Sequence, residues 1–80
     1  MLPDRESHEE KCLREMLREA RRKAGFRQSD LAERLGVPQS FVSKYESGER
    51  LLTFVEAVVI LEHLRLPASS VVKRLREKCR

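Results

Sequence analysis

Apolar residues recur every three to four positions in the first third of the chain: Leu13, Met16, Leu17, Ala20 and Ala24. This is the period of an amphipathic helix. Gly25 ends the series, and Ser7 with Glu10 has the spacing of a capping box in front of it. We therefore expect a first helix between Ser7 and Gly25, preceded by a short polar tail, residues 1–6, that is disordered.

Two shorter helices are predicted in the middle of the chain, near residues 28–35 and 39–47. Helices of this length do not persist in water without tertiary packing. Gly36 separates the two helices, because a glycine just past a helix adopts positive φ without a Cβ penalty, and Pro38 follows in the turn. Neither helix has Ser, Thr, Asp or Asn at its expected N-cap, where Arg27 and Pro38 stand.

Small and apolar residues lie where two helices that cross at a sharp angle would touch. Ala32 leaves room for close approach, and Val42, six residues after the glycine, points back toward Ala32 and Leu35. Tyr45 adds a further apolar body one turn later. The pattern indicates a helix-turn-helix over residues 28–45. An ordinary helical hairpin with a Gly-Pro corner is the alternative interpretation.

Thr53 and Glu56 repeat the capping-box spacing and predict that a fourth helix begins at Phe54. Apolar residues occupy most of its circumference as far as Leu64. We therefore expect this helix to be the central element, covered on more than one side by helix one, helix five or a second subunit. Pro67 is expected to stop it.

A fifth helix is expected to begin at a cap formed by Ser69 or Ser70. Val71, Val72 and Leu75 give this helix a modest apolar face, and basic residues follow toward its C-terminal end, where they suit the helix dipole.

The composition is that of a small helical domain with a charged surface. Eighty residues allow one domain, expected over residues 7–80. A chain of this size buries only about 60% of its unfolded surface, so association with a second chain would stabilise it. Charged residues make up 38% of the chain, with a net charge of +4 and a pI near 9.5. This excess favours a polyanionic partner without requiring one.

Several other classes of function are disfavoured. Cys12 and Cys79 lie far apart with no partner at ligand spacing, so we expect free thiols, no metal site and no cofactor. His8 and His63 have no neighbours that specify a nucleophile and a base, so we expect no enzyme. A signal-peptide pattern and a membrane-length apolar run are both absent, which favours a cytoplasmic protein. One small domain also leaves no obvious small-molecule pocket.

The chain resembles the Cro and phage-repressor (Xre-like) group of DNA-binding proteins. Seven residues carry the resemblance: Gln28, Ala32, Gly36, Val42, Tyr45, Glu46 and Gly48. The resemblance extends over roughly residues 13–75. It implies an all-α, five-helix, lambda-repressor-like domain whose helix-turn-helix is formed by helices two and three. It further implies that helix three enters the major groove and that a homodimer binds a two-fold symmetric operator.

By position, the resemblance assigns base contacts to four residues of helix three: Gln39, Ser40, Ser43 and Lys44. Gln39 and Lys44 should carry most of the discrimination, because an amide pairs with adenine and an ammonium group donates to guanine. Phe41 either contacts a thymine methyl group or packs beside Pro38 on the protein.

The same resemblance assigns phosphate contacts to five residues: Arg27, Gln28, Ser29, Ser47 and Arg50. Helix two begins at Gln28, and a helix N-terminus favours an anion. Arg27 and Arg50 are the expected cations, and a solvated surface arginine is the alternative for each. Arg21 and Glu46 occupy positions that form an ion pair in related phage repressors, so Glu46 is expected to hold the scaffold rather than touch DNA.

The function that these features favour is a transcriptional regulator, expected to be a repressor, that binds double-stranded DNA as a homodimer. Val71, Val72 and Leu75 are the candidate dimer interface. The alternative is a protein-interaction module in which helices four and five bind a protein partner, such as a toxin, and DNA binding is secondary or lost.

Overall fold

A computed structural model of the protein describes residues 7–77, which form five α-helices joined by turns. Their bounds are α1 His8–Lys23, α2 Gln28–Leu35, α3 Gln39–Ser47, α4 Phe54–His63 and α5 Ala68–Glu77. The predicted disordered tail, residues 1–6, lies outside the described residues.

The N-terminus of α1 has the predicted cap. The Ser7 side-chain oxygen accepts a hydrogen bond from the Glu10 backbone N–H at 3.1 Å. At the other end, the backbone N–H of Phe26 donates to the Arg21 carbonyl, which closes the turn after the helix. The predicted bounds of the first helix are confirmed.

The predicted bounds of α2 and α3 are also confirmed, although both helices lack a favourable N-cap residue. Arg27 and Pro38 occupy the two N-cap positions in extended conformation. The carboxylate of Asp30 compensates at α2 by accepting the Arg27 backbone N–H at 2.8 Å. Gly36 then ends α2 with a φ of 71°, as its position after the helix predicts.

The core lies where α2 and α3 pack against each other and against α1, α4 and α5. Its largest fully buried side chains are Tyr45, Leu17, Leu31, Ile60 and Val42. Ala32 is also buried, so its small side chain does allow the close approach of α2 and α3. The apolar wedge predicted for the helix-turn-helix is therefore present.

The connection between α4 and α5 differs from the prediction. Arg65 ends α4, because its φ of 56° lies in the left-handed region and the Leu66 N–H donates to the Leu61 carbonyl. Pro67 then precedes α5, and its carbonyl accepts the Ser70 N–H. The expectation that Pro67 stops α4 is wrong, as is the expected cap at Ser69 or Ser70.

Part of the apolar surface of α4 is not covered within one chain, so its expected coverage by a second subunit stays a prediction. Ile60 and Leu61 are buried, whereas Phe54 is 79% exposed and Val55 is 69% exposed. The reason is topological: α4 packs mainly on α2, whereas α1 packs against both α3 and α5. Within one chain, α4 is therefore a peripheral helix rather than the central element.

The candidate dimer interface on α5 is divided by the fold. Val71 is buried in the core, and Leu75 packs against that core, because α5 turns this side toward α1. Val72 remains 51% exposed. The assignment of Val71 to a surface interface is therefore wrong.

The expectation of free thiols is wrong for Cys12, which is disulfide-bonded. The other cysteine of the sequence, Cys79, lies outside the described residues.

Candidate nucleic-acid interface

One face of α3 is polar and exposed. Its exposed residues are the four assigned to base contacts, Gln39, Ser40, Ser43 and Lys44, together with Ser47 at the C-terminal end. They follow a spacing of three to four residues, which places them side by side on a helix. The opposite face carries Val42 and Tyr45, both essentially inaccessible to solvent. The core therefore fixes α3 and directs its donors and acceptors outward.

The exposed face offers the chemical groups that base edges require. A glutamine amide both donates and accepts, so Gln39 can pair with adenine, and the Lys44 ammonium group can donate to guanine. The hydroxyl groups of Ser40 and Ser43 can donate or accept.

A buried ion pair connects α1 to the end of α3. The Nε and Nη2 atoms of Arg21 donate to the two Glu46 carboxylate oxygens at 2.8 and 3.1 Å. Arg21 is 7% exposed and Glu46 is 3% exposed. Arg21 also donates to the Phe26 carbonyl at 2.8 Å, so its guanidinium group holds α1, α3 and the turn before α2 together.

Gln28 is part of this buried network. Its side-chain nitrogen donates to the Glu46 carboxylate at 3.1 Å, which ties the N-terminus of α2 to the end of α3. The side-chain amide assigned to a phosphate therefore already has a protein partner. Its neighbours Arg27 and Ser29 are exposed at the same end of α2.

Arg18 is a member of the network that sequence reasoning missed. Its Nη2 atom donates to the Glu46 backbone carbonyl at 3.1 Å, and its Nε atom lies 3.8 Å from the carboxylate. Arg18 precedes Arg21 by three residues and so shares its face of α1. That spacing was the available signal.

Arg50 is also held by the protein. Its terminal nitrogens donate to both carboxylate oxygens of Glu56 at 2.9 and 2.8 Å. Its guanidinium group lies over the Phe41 ring, 4.6 Å from the centroid. The residue assigned to a phosphate thus connects α3 to α4.

The Phe41 ring contacts two side chains of the protein: it lies beneath the Arg50 guanidinium group and beside the Tyr45 ring. Its ring meets the Tyr45 ring edge to face, with centroids 5.9 Å apart. These contacts with Tyr45 and Arg50 favour protein packing over a thymine contact.

The capping box at α4 is present, since Thr53 and Glu56 exchange hydrogen bonds of 2.8 and 3.1 Å.

Burial alters one titratable group behind the exposed face. Desolvation raises the pKa of Tyr45 above its ordinary value, and the neighbouring Glu46 carboxylate adds to the effect. The Tyr45 hydroxyl has no hydrogen-bond partner among the residues that the structure describes. Tyr45 therefore acts as an apolar body and stays neutral at ordinary pH.

Ser47 lies at the C-terminal end of α3. Its hydroxyl group donates to the Lys44 carbonyl at 3.1 Å and accepts the Glu49 N–H at 3.4 Å, while the side chain stays exposed.

None of the helices within residues 7–77 has the length and apolar content needed to cross a membrane.

Comparison with known proteins supports the interpretation of this face. A family model described as helix-turn-helix (HTH_3) matches residues 17–71, which is more than half of the chain. A search of curated proteins returns no significant match. The matched region contains the whole of α2 and α3 and the Arg21–Glu46 pair. The chain therefore belongs to the Xre-like helix-turn-helix family, has its all-α, lambda-repressor-like fold, and is a DNA-binding regulator of transcription.

Proposed function

We propose that the protein is a cytoplasmic, sequence-specific repressor that binds a two-fold symmetric operator as a homodimer, with α3 in the major groove. The observation that carries this proposal is the exposed polar face of α3, backed by a buried apolar face and fixed by the Glu46 network. A repressor of this kind blocks transcription because it occupies DNA to which RNA polymerase would otherwise bind.

Base discrimination is assigned to Gln39 and Lys44, with Ser40 and Ser43 as permissive neighbours. Phosphate contacts are assigned to exposed groups around the reading face: Arg27, Ser29, Ser47 and the backbone N–H of Gln28 at the start of α2. Arg50 can contribute to phosphate binding only in addition to, or in exchange for, its contacts with Glu56 and Phe41.

The test is selection of bound duplexes from a random DNA pool at about physiological salt, followed by sequencing. We expect a two-fold symmetric consensus with half-sites about 10–10.5 base pairs apart. Gln39→Ala and Lys44→Ala should each weaken binding and relax one position of the consensus, by about 1–3 kcal/mol for a good base contact.

Lys73→Ala is the matched control, because Lys73 is an exposed lysine on α5 and its loss changes the net charge by the same amount as Lys44→Ala. An equal loss of affinity in both lysine variants, uniform over all sequences, would indicate nonspecific charge binding instead.

A second candidate function follows from the exposed apolar residues of α4, such as Phe54 and Val55. An antitoxin-like module would use this face to bind a protein partner, and DNA binding would be secondary. Failure of the pool selection at every salt concentration would favour this function.

A further inference from the structure

A cleft of about 510 Å³ opens on the surface where α1 and α4 end and where α2 makes its last turn. Its apolar lining includes Ala24, Phe26 and Leu66, and the last two also pack against the core. Among the described residues, those of α3 take no part in the lining, so the cleft is separate from the face that is proposed to read DNA. It is named the basic cleft.

Three cationic side chains from different elements line the basic cleft. Lys23 is the last residue of α1, Arg34 lies in the last turn of α2, and Arg65 follows α4. All three are exposed, and none forms an ion pair with a carboxylate of residues 7–77. In this they differ from Arg21 and Arg50, each of which bonds to a glutamate. A cleft lined by one sign of charge attracts ligands of the opposite sign.

The carboxylates nearest in sequence line other depressions of the surface. Asp30 and Glu33 line a depression beside α2, and Glu62 lines one that it shares with Arg65. Among the described residues, the lining of the basic cleft therefore contains no negative side chain. His63 also lines the cleft, and its imidazole can donate a hydrogen bond in either charge state. The cleft is suited to a ligand that carries several negative charges.

Arg65 occupies a backbone position that favours glycine. Its φ is 56°, whereas the other positive φ angles among the described residues all belong to glycines. A Cβ atom destabilises this left-handed conformation. The turn does not require the arginine side chain, because backbone atoms close it: the Leu66 N–H donates to the Leu61 carbonyl. The Arg65 side chain therefore contributes a cation to the cleft rather than stability to the turn.

The chemistry of the cleft fits a peptide better than a nucleic acid. The ends of α1, α2 and α4 present backbone carbonyls rather than N–H donors, so a phosphate would gain contacts from side chains alone. A peptide can donate N–H groups to such carbonyls, and one of its apolar side chains can cover Phe26 and Leu66. The Arg34 guanidinium group lies over the Phe26 ring, 4.4 Å from the centroid, which leaves the N–H groups at its edge available to a carboxylate.

We propose that the basic cleft binds an acidic peptide segment of another protein. An apolar side chain of the segment contacts Phe26 and Leu66. Flanking carboxylates pair with Lys23, Arg34 and Arg65. This goes beyond the proposed function and does not depend on it, because the basic cleft and the polar face of α3 share no residue. A partner can therefore bind the chain in the presence or absence of DNA.

The test begins with the immobilised full chain and a displayed library of random peptides, at about physiological salt and without DNA. We expect the enriched peptides to share an apolar residue with acidic residues on both sides. The most enriched peptide is then synthesised with a fluorescent label, and its affinity is measured by anisotropy. In NMR spectra of the chain, the unlabelled peptide should shift the amide signals of Ala24, Phe26 and Leu66, which lie in the cleft.

Arg65→Gly is the decisive variant, because it should raise stability and lower affinity at the same time. Glycine relieves the left-handed backbone, so the thermal midpoint should rise. Loss of one partly exposed charge contact should weaken peptide binding by about 5–10-fold, and Lys23→Gln should have a similar effect. Arg74→Gln is the matched control, because Arg74 is an exposed arginine of α5 outside the cleft, and it should bind like the unaltered chain.

Three results would overturn the proposal: no enrichment of acidic peptides, unchanged affinity in Arg65→Gly, or amide shifts confined to residues outside the cleft. Equal losses in Arg65→Gly and Arg74→Gln would also overturn it, since they would indicate attraction by net charge alone. A short DNA duplex of unrelated sequence serves as a competing anion. If this duplex displaces the labelled peptide at a lower concentration than the unlabelled peptide does, the cleft binds phosphates and the assignment to an acidic peptide is wrong.

Discussion

Both terminal nitrogens of Arg50 donate to the carboxylate of Glu56, at 2.9 and 2.8 Å, and the same guanidinium group lies on the Phe41 ring. Glu56 also accepts the Thr53 backbone N–H at 2.8 Å. One carboxylate therefore caps α4 and fixes an arginine at the end of α3. The arrangement connects α4 with the helix that is proposed to read DNA.

The first prediction concerns the titration of Glu56. Its hydrogen bonds to Arg50 and then to the Thr53 N–H lower the pKa of the carboxyl group from its ordinary value of 4.5 to about 2. Because the folded-state pKa is the lower one, the stabilisation is complete above about pH 4.5 and is lost as the pH falls toward 2. NMR titration of the Glu56 carboxyl carbon should show this shift. Arg50→Met should return the midpoint toward 4.5, and a midpoint already near 4.5 in the unaltered chain would refute the ion pair.

The second prediction separates the two arginines assigned to phosphates. Arg27 is exposed, whereas Arg50 is bonded to Glu56. Each phosphate contact contributes about 0.9 to the slope of log affinity against log salt. We expect Arg27→Ala to reduce that slope by nearly this amount and Arg50→Ala to reduce it by much less. Glu56→Gln should increase the slope by releasing Arg50. A larger effect from Arg50→Ala than from Arg27→Ala would show that Arg50 exchanges Glu56 for phosphate on DNA.

The third prediction concerns the buried pair of Arg21 and Glu46. Replacing Arg21 by Met leaves a carboxylate that is 3% exposed without its main partner, which should cost about 3–5 kcal/mol of unfolding free energy. The double variant Arg21→Met/Glu46→Met should lose less, because no buried charge is stranded. Urea denaturation of the two single variants and the double variant measures the coupling. Simple additivity of the single losses would contradict the prediction.

The fourth prediction concerns the Tyr45 hydroxyl group, which is buried without a hydrogen-bond partner among the described residues. Tyr45→Phe removes a hydroxyl group that loses its hydrogen bonds to water on folding and forms none with the described residues. We expect the unfolding free energy to stay equal or rise by up to about 1 kcal/mol. Thermal unfolding of the variant tests this, with Phe41→Leu as the control that removes a ring from the same cluster. A loss of stability in Tyr45→Phe would show that the hydroxyl group is bonded after all.

The fifth prediction compares two glycines with positive φ. Gly36 has a φ of 71° with open space at its Cβ position, and Gly48 has a φ of 89° with Arg14 Cζ only 2.8 Å from that position. Substitution by alanine should cost about 1–2 kcal/mol at either site because of the left-handed backbone. Gly48→Ala should cost more, since the Arg14 guanidinium group must also move.

The control is Arg14→Ala/Gly48→Ala, in which the added cost at Gly48 should disappear. Equal losses in Gly36→Ala and Gly48→Ala would mean that Arg14 moves aside without cost.

The sequence by itself determined the helices and the close packing of two of them. Local signals sufficed for this: the capping box at Ser7, the glycine at position 36, and small Ala32 opposite Val42. Each acts within one helix or across one turn, where spacing along the chain converts directly into geometry. The exposed polar face of α3 follows from the same periodicity.

Only the tertiary structure decided which side of each outer helix meets solvent and which charged side chains meet each other. Val71 is buried and Phe54 is exposed, although both occupy apolar positions in the pattern, because burial depends on which helices pack together. Arg50 and Glu56 are six residues apart in different elements, and Arg18 meets Glu46 across 28 residues. No periodicity encodes contacts of that kind, since they depend on how the helices are arranged around the core.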